Sequence, residues 1–187
     1  ATGGEAEPVT QLPLDVGAFR ISPDGMRLAV ALDVFPDCAD LACTRARLDA
    51  DAQRAASGRV YDRLFIRHWD TWSDGRRAHI IVVPLHSAVS ATTTAVDIMQ
   101  GLDADSPGKP FGGSEELAFT PDSRSIVFAA RVAGREEAWS TNFDLYLAPI
   151  DGSAAPKNIT PTSPGTDSAP MFSPDGKTLV WLSMPRA

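Results

Sequence analysis

The sequence lacks the long apolar run that a membrane helix requires. A spanning helix needs about 20 such residues, whereas no uninterrupted apolar run here exceeds six. It also lacks an excess of basic residues, since 17 Lys and Arg stand against 24 Asp and Glu, for a formal net charge of −7. Binding to a nucleic-acid backbone depends on clustered basic side chains. The sequence therefore predicts neither a membrane span nor a nucleic-acid partner.

Cysteine is scarce as well, and the two that occur lie close together. Cys38 and Cys43 fall within PDCADLACT, with no histidine nearby to complete a four-ligand zinc site. No other metal-ligand cluster and no glycine-rich phosphate loop is present, so neither a metal nor another cofactor is predicted. Two interpretations remain open for the pair: free thiols, or a disulfide that contributes about 2 kcal/mol by closing a short loop. A disulfide would indicate a periplasmic or secreted protein.

The usual signatures of a catalytic site are also missing. The Gly-x-Ser-x-Gly elbow that exposes a nucleophilic serine does not occur in the sequence. His79 alternates with apolar residues in a predicted strand, a pattern that favours a structural role. This chain alone is therefore expected to be inactive.

What the sequence does contain is an internal repeat. Three segments share a Ser or Thr, then Pro-Asp, then Gly or Ser, followed by alternating apolar residues: FRISPDGMRLAVAL from Phe19, LAFTPDSRSIVFAA from Leu117 and PMFSPDGKTLVWLS from Pro170. Proline fixes φ, aspartate bonds locally to the backbone, and glycine accepts the positive φ that leads into a return strand. Each segment therefore predicts a β-hairpin. Ser123 replaces the glycine in the second copy, at a modest cost in strain.

A second repeated stretch completes the unit. WSDGRRAHIIVVPL from Trp72 is followed by VDIM, and WSTNFDLYLAPIDG from Trp139 is followed by KNIT. These stretches predict a third and a fourth strand after each hairpin. Only one companion stretch lies between the first two hairpins, so their wide separation indicates an insertion rather than a degenerate repeat.

Four-stranded units repeated every 40 to 55 residues are typical of β-propeller blades. The predicted fold is all-β, a partial propeller of about two and a half blades, with a short helical insertion in the first. Because so few blades cannot close a ring, the chain is expected to belong to a longer protein. The predicted divisions are a lead-in at 1–17, a blade at 18–101 with its insertion at 33–71, a blade at 102–166 and the first hairpin of another at 167–187.

The insertion has a composition of its own. TRARLDADAQRAAS predicts a surface helix over 44–57 that begins at Thr44, and RVYDRLFIRHWDTW, after it, is interpreted as the beginning of the third strand. In a propeller the insertion would lie at the same end as the loops over 107–116 and 133–140. Both Glu-Glu pairs of the sequence, Glu115-Glu116 and Glu136-Glu137, fall in these loops. Such a pair could bind an ammonium group or could simply be solvated.

The repeat resembles the blades of TolB-type and prolyl oligopeptidase-type propellers, most clearly in FSPDGKTL from Phe172. Three longer stretches are similar to the amino-terminal propeller of bacterial prolyl oligopeptidase-family serine peptidases, in the acylaminoacyl-peptidase and dipeptidyl-peptidase branch: FRISPDGMRLAVAL, YDRLFIRHWDTWSDGRRAHIIVVPL and EEAWSTNFDLYLAPIDGSAAPKNIT. The resemblance covers most of residues 12–187. The first residues from Ala1 are interpreted as a flexible lead-in, either a mature end left by signal-peptide cleavage or the end of a shortened chain.

This resemblance implies a function. In that family the propeller caps an α/β-hydrolase domain that carries the Ser-Asp-His triad, admits short peptides and excludes folded proteins. The triad would then lie outside this chain, in a C-terminal hydrolase domain of the same protein. In dipeptidyl-peptidase members, propeller glutamates bind the free α-amino group of the substrate, and Glu136 and Glu137 are nominated for that role. The alternative is a non-catalytic, TolB-like periplasmic propeller that binds partner proteins.

Overall fold

The computed structural model describes residues 3–5, 8–58, 60–61, 67–85 and 95–184. The described chain is mostly β-sheet with one α-helix, which confirms the predicted all-β class. In chain order the elements are β1 (Val16–Ile21), β2 (Arg27–Val34), α1 (Leu41–Ala52), β3 (Arg67–His68), β4 (Thr71–Trp72), β5 (Arg77–Pro84), β6 (Val96–Asp97), β7 (Leu117–Phe119), β8 (Ser125–Ala130), β9 (Asp144–Pro149), β10 (Lys157–Asn158), β11 (Thr166–Phe172) and β12 (Leu179–Met184).

The strands form two four-stranded antiparallel sheets and an additional hairpin. The first sheet has the order β1-β2-β5-β6 and the second the order β7-β8-β9-β10, while β11 pairs with β12. In each large sheet the strands are therefore neighbours in the order in which the repeat predicts them. In the first sheet β2 and β5 pair without interruption, from Arg27 opposite Pro84 to Val34 opposite Arg77.

The central strands are buried on both faces, so the sheets lie on one another in layers. Between the two large sheets, Ile80 and Ala29 of the first pack against Phe128 and Tyr146 of the second. The other face of the first sheet is covered by Leu41 of α1 and by partly buried leucines of the amino-terminal segment. The β11–β12 hairpin covers the other face of the second sheet. Burial of each large side chain contributes about 2 kcal/mol.

All three Pro-Asp turns have the same hydrogen bonds. In each turn the aspartate carboxylate accepts from the hydroxyl two residues before it, and the distances are 2.5 Å for Ser22–Asp24, 2.6 Å for Thr120–Asp122 and 2.6 Å for Ser173–Asp175. The carboxylate also accepts from the backbone N–H two residues after it. Bonds from the hydroxyl and then from the backbone hold the pKa of each aspartate below its usual value. The sequence repeat is thus also a repeat of hydrogen bonds.

The three turns also lie next to one another in chain order. The backbone N–H of Asp24 donates to Ser123 Oγ over 3.1 Å, which joins the first turn to the second. A Cβ at Gly176 would lie 2.9 Å from Pro121 Cγ, so the third turn packs directly on the second. Gly25, Ser123 and Gly176 all have positive φ, as predicted, at 68°, 60° and 71°. Ser123 therefore combines a strained backbone with a bond that glycine could not accept.

The helix begins and ends earlier than the sequence predicts. Helix α1 spans Leu41–Ala52 rather than 44–57, because the Asp40 side chain caps it by accepting from Cys43 N over 2.7 Å. Thr44, the predicted start, is fully buried inside the helix, and its hydroxyl accepts from Phe35 N over 3.2 Å. That bond ties the helix to the chain that leaves β2.

The prediction for the segment after the helix was also wrong. Arg67–His68 and Thr71–Trp72 form a separate two-stranded hairpin instead of the beginning of the third strand, which starts only at Arg77. Gly75, at a φ of 92°, turns the chain into that strand. Residues 59 and 62–66 of this segment lie outside the described residues.

His79 lies in β5 and is fully buried between the layers. One ring nitrogen, Nδ1, lies 2.8 Å from Asp97 Oδ2, and the other, Nε2, lies 2.9 Å from the carbonyl oxygen of Leu102. The second oxygen of Asp97 accepts from Met99 N over 2.8 Å. The imidazole thus connects β5 to the fourth strand of the sheet and to the turn after it.

We expect Ser123→Ala and Ser123→Gly to differ in stability. The alanine variant keeps the left-handed backbone and loses the bond from Asp24, which should lower the free energy of unfolding by about 1 kcal/mol. The glycine variant loses the same bond but relieves a comparable strain, so it should remain within about 0.5 kcal/mol of the parent. Urea denaturation measures both, and equal losses in the two variants would contradict the prediction.

We expect His79→Phe to be strongly destabilising, because Asp97 and the Leu102 carbonyl would lose their partner in a buried place. The expected loss is about 3 kcal/mol, seen as a lower Tm. Adding Asp97→Asn removes the charge that has lost its His79 partner, keeps an acceptor for Met99 N, and should restore part of that loss. A double variant no more stable than His79→Phe would show that loss of the His79–Asp97 hydrogen bond is not the cause.

Candidate functional site

The end of the sheets opposite the Pro-Asp turns carries the largest group of charged side chains. The last residues of β2 and the first of β5 lie there, since Val34 pairs with Arg77. Two loops reach the same end, one over 103–116 between the two sheets and one over 131–143 between β8 and β9. The sequence predicts that the loops over 107–116 and 133–140 lie at the same end, and the ion pairs of Lys109 with Asp33 and of Glu137 with Arg77 agree with this. We refer to this end as the loop rim.

Arg77 is the centre of the loop rim. Its Nη1 and Nη2 donate to the two carboxylate oxygens of Glu137 over 2.5 and 2.6 Å. Its Nε donates to Asp103 over 2.8 Å, and Nη1 also donates to Asp105 over 3.0 Å. We call these four residues the Arg77 cluster. The Arg77 cluster joins the beginning of β5 to both loops, and only 15% of the Arg77 side chain is exposed.

The charges of the Arg77 cluster stabilise one another. Burial by itself disfavours the charged guanidinium, but the bonds to Glu137 and Asp103 and the charge of Asp105 outweigh it, so the pKa of Arg77 is raised. A fork of donors that meets a carboxylate with two parallel bonds is the strongest form of this interaction. The cluster is therefore a fixed connection rather than a pair of mobile surface charges.

Lys109 extends the network along the rim. Its Nζ lies 2.8 Å from Asp33 at the end of β2 and 3.3 Å from Asp105 of the cluster. Although burial opposes its charge, Asp105 and Asp33 hold the pKa of Lys109 above its usual value. Together with Arg131, which lies 3.9 Å from Glu137, three basic side chains face four carboxylates. The network thus has one negative charge in excess.

The two glutamates nominated from the sequence have different surroundings. Glu136 ends a short 3-10 helix, Gly134–Glu136, and its side chain is exposed. Glu137 follows it, is mostly buried, and has both oxygens bonded to Arg77. The structure therefore brings Glu137, but not Glu136, into the network. Their role in substrate binding stays a prediction.

The other glutamate pair is divided in the same way. Glu115 is exposed, whereas Glu116 is half-buried and accepts from the backbone N–H of Gly108 over 2.6 Å. Burial raises the pKa of Glu116, and the charge of Glu115 adds to this, while the Gly108 bond opposes it. A Cβ at Gly108 would lie 2.6 Å from Phe143 Cε1, so this loop packs closely on the end of the 131–143 loop, just before β9. Glu116 thus fixes the 107–112 turn.

A cleft of about 480 Å³ opens beside the Lys109 end of the network, which is within the range of small-molecule sites. Its lining combines apolar and charged side chains. Its apolar side chains include Pro13, Leu14, Val16 and Leu48, and its charged side chains are Asp15, Asp33, Arg45, Arg76 and Lys109. The cleft therefore has room for a ligand that carries both an apolar and a charged part.

Exposed aromatic side chains accompany the charges. Trp69 is 71% exposed and Phe111 is 80% exposed, and their rings meet edge to face at 5.5 Å between centroids. Trp139, 69% exposed, lies in the loop that carries Glu136. The contact between Trp69 and Phe111 makes a small exposed apolar patch, and contiguous patches are the kind of apolar surface that accompanies binding.

Cys38 and Cys43 form a disulfide in the structure, immediately before and within the first turn of α1. The short loop that it closes also contains the Asp40 cap. The bridge therefore fixes the beginning of the helix that lies next to the cleft.

The residues that organise the rim were not predicted from the sequence. Arg77 begins a strand that the sequence did predict. Asp103 and Asp105, two positions apart, come shortly after the fourth strand of the same sheet. An arginine at a strand end and two spaced aspartates in a loop are only a weak indication of an ion-pair cluster, because many solvated surface charges have the same spacing. The pairing depends on which loops meet, and that is a property of the assembled sheets.

Two kinds of feature are absent from the part of the chain that the structure describes. The described histidines, cysteines and acids contain no group of three or more that is placed to hold a metal ion. Where the structure describes the chain, no helix combines the length and the apolar character needed to cross a membrane.

Comparisons with known proteins identify relatives of this chain. No family model matches it. It is 36% identical over 136 residues to dipeptidyl-peptidase 5 of Porphyromonas gingivalis, covering 70% of this chain and 19% of that protein. It is 32% identical over 186 residues to dipeptidyl-peptidase 5 of Porphyromonas endodontalis, covering 98% of this chain and 25% of that protein. A probable dipeptidyl-peptidase 5 of Aspergillus terreus is 32% identical over 142 residues, which are 70% of this chain and 20% of that protein.

The relatives extend from bacteria to a fungus, and the chain spans about a quarter or less of the length of each. The match to the second Porphyromonas protein includes nearly the whole chain, so both sheets and the insertion within the first sheet are part of the similarity. The chain is thus related to peptidases, and the relatives that show this are proteins named dipeptidyl-peptidase 5.

Proposed function

We propose that this chain is part of the β-propeller of a dipeptidyl peptidase that acts on short peptides with a free amino end. The observation that carries the proposal is the 32% identity to a dipeptidyl-peptidase 5 over 98% of the chain. The name of these relatives favours the dipeptidyl branch over the acylaminoacyl branch, which the resemblance alone left open.

Three features support the propeller part of the proposal. Each large sheet is a four-stranded meander, the sheets pack face to face, and the Pro-Asp turns contact one another in chain order at one end. Consecutive blades of a propeller have this relation. The β11–β12 hairpin is then the first half of a third blade, and the remaining blades belong to the rest of the protein.

The proposed role of the propeller is to admit short peptides and to recognise their amino end, while the Ser-Asp-His triad lies in a hydrolase domain outside this chain. The loop rim has the chemistry for the second task. It has an excess of negative charge and exposed aromatic side chains, and an ammonium group is bound by carboxylates through charge-assisted bonds. The loop over 131–140, with Glu136 and Glu137, is the proposed binding element.

A periplasmic or secreted location is part of the proposal. The Cys38–Cys43 disulfide supports it, because disulfides persist in oxidising compartments and are rare in the cytosol. In this setting the substrates would be peptides produced outside the cytoplasm by other proteases.

We expect the full-length protein to hydrolyse chromogenic dipeptidyl substrates, and a serine-directed inhibitor should abolish the activity. Acetylating the amino end of the same substrate should lower kcat/KM at least about tenfold, because the ammonium group that the rim binds is lost. Steady-state kinetics on the two matched substrates measure this. A protein that hydrolyses neither substrate would instead favour the TolB-like binding propeller, and preference for the acetylated substrate would favour an acylaminoacyl peptidase.

Replacing Glu136 and Glu137 together by Gln should raise KM for the free-amino substrate by about tenfold or more. The acetylated substrate should be nearly unaffected, since it has no ammonium group to lose. The ratio of the two KM values, measured with the full-length enzyme, is the readout. If KM rises equally for both substrates, the loop does not recognise the amino end.

A further inference from the structure

Four buried side-chain oxygens in the described part of the chain have no hydrogen-bond partner, and three of them belong to two adjoining segments. These three are Oδ1 of Asn142, Oδ1 of Asp144 and Oδ2 of Asp167. Asp167 is almost wholly buried, with 1% of the residue exposed. A buried oxygen without a donor is costly, so three of them in one place indicate a ligand that supplies positive charge.

The fold brings the three side chains together at the loop rim, where β9 and β11 begin. Phe143 and Thr166 form a parallel bridge, and Asp167 N donates to the Phe143 carbonyl oxygen over 2.8 Å. The residues that follow the bridge, Asp144 and Asp167, therefore lie side by side on one face. Asn142 comes two residues before Asp144, so the alternation of an extended chain places it on that face as well.

Asp144 and Asp167 are close enough to repel each other. Burial raises the pKa of Asp144, and the charge of Asp167 also raises it, against a 2.8 Å bond from Asn158 Nδ2. No basic side chain of the described residues forms an ion pair with either aspartate. Arg131, in the adjoining loop, donates to the carbonyl oxygen of Ser140 instead. The two carboxylates thus share a partly buried place that no arginine or lysine neutralises.

Neutral groups surround the Asp167 carboxylate. Burial by itself would raise the pKa of Asp167, but the hydroxyls of Ser183, Thr160 and Ser163 and the Trp181 indole hold it below its usual value. The indole Nε1 donates to Asp167 Oδ1 over 3.3 Å, whereas none of the hydroxyls completes a hydrogen bond to Oδ2. Further oxygens are therefore at hand beside the three that have no partner.

We propose that Asn142, Asp144 and Asp167 form a calcium site between the second sheet and the β11–β12 hairpin. Calcium binds about six to eight oxygens in irregular geometry and accepts carboxylates and amide carbonyls together, whereas magnesium demands a near-ideal octahedron. Only two of the ligands are acids, which suits the weaker affinities of calcium sites in extracellular modules. The ion joins the beginning of β9 to the beginning of β11, and so holds the hairpin on the sheet that it covers.

Calorimetric titration of the chelator-treated full-length protein with calcium chloride tests the site. We expect a Kd of about 1 mM or below in the parent and magnesium binding at least about tenfold weaker. Asp144→Asn and Asp167→Asn should each weaken calcium binding by at least about tenfold, because a charged ligand is lost. Asp151→Asn is the matched control, since Asp151 is exposed in the turn at the other end of β9, and its Kd should equal that of the parent.

Trp181 provides a readout that belongs to this site alone. Terbium occupies the oxygen sites of calcium and luminesces when an excited indole lies close to it. The Trp181 indole contacts Asp167 directly, so the parent should show sensitised luminescence that calcium displaces. Most of that signal should be lost in Trp181→Phe and kept in Trp69→Phe, whose exposed indole lies in the insertion of the first sheet.

Repulsion between the aspartates gives a prediction whose sign depends on the ion. With calcium chelated, Asp144→Asn removes one of two repelling carboxylates and should raise Tm. With calcium saturating, the same variant loses a ligand and should have a lower Tm than the parent. A side chain with a purely structural role would shift Tm in the same direction under both conditions.

Several results would overturn the proposal. A parent protein that binds no calcium, or a Kd that neither aspartate variant changes, would favour a proton shared between the two carboxylates. Equal binding of magnesium would refute the choice of calcium, and terbium luminescence that survives in Trp181→Phe would place the ion elsewhere. The parent titration and the Trp181 measurement need no altered aspartate, so they decide the matter even where an asparagine variant does not fold. None of these readouts depends on peptidase activity.

Discussion

Burial of the central strands on both faces is the constraint on which the rest of this structure depends. Strands β2, β5, β8 and β9 alternate apolar residues toward two different cores, so neither large sheet can be stable with one face in water. Each sheet therefore needs a layer on both sides. The second sheet covers the first, the β11–β12 hairpin covers the second, and α1 with the amino-terminal segment covers the outer face of the first.

The same stacking creates the loop rim. When two meanders pack face to face, the loops at their ends are brought together whether or not the side chains of those loops attract one another. Charged residues that would be separate surface groups in isolated sheets then share one partly buried place, where an unpaired charge is costly. Arg77 satisfies three carboxylates from two loops at once, and Lys109 does the same for Asp33 and Asp105. The electrostatic network is thus a consequence of the layer packing and also fixes its register.

The local features of this fold could be predicted from the sequence, and the contacts between units could not. The Pro-Asp turns, the strand order and the positive φ of Ser123 all follow from short-range chemistry that is visible in the repeat. The bond from Asp24 to Ser123 joins residues 99 positions apart, and the Arg77–Glu137 pair joins residues 60 apart. Nothing local marks either partner. The helix start was missed for a similar reason, because Asp40 caps α1 while Thr44 bonds back to the end of β2.

The glutamate pairs show how such long-range contacts act on a local motif. Glu115 and Glu116 lie within one 3-10 helix, and Glu136 and Glu137 lie at the end of another. Successive side chains of a 3-10 helix are separated by about 120° around the axis. Adjacent carboxylates in this geometry point in different directions, which also reduces their mutual repulsion. At each pair one glutamate turns inward to a donor, Gly108 N or Arg77, and the other remains in solvent. A doubled acidic residue at a loop therefore supplies one anchor and one exposed charge, and the anchor determines where that charge is presented.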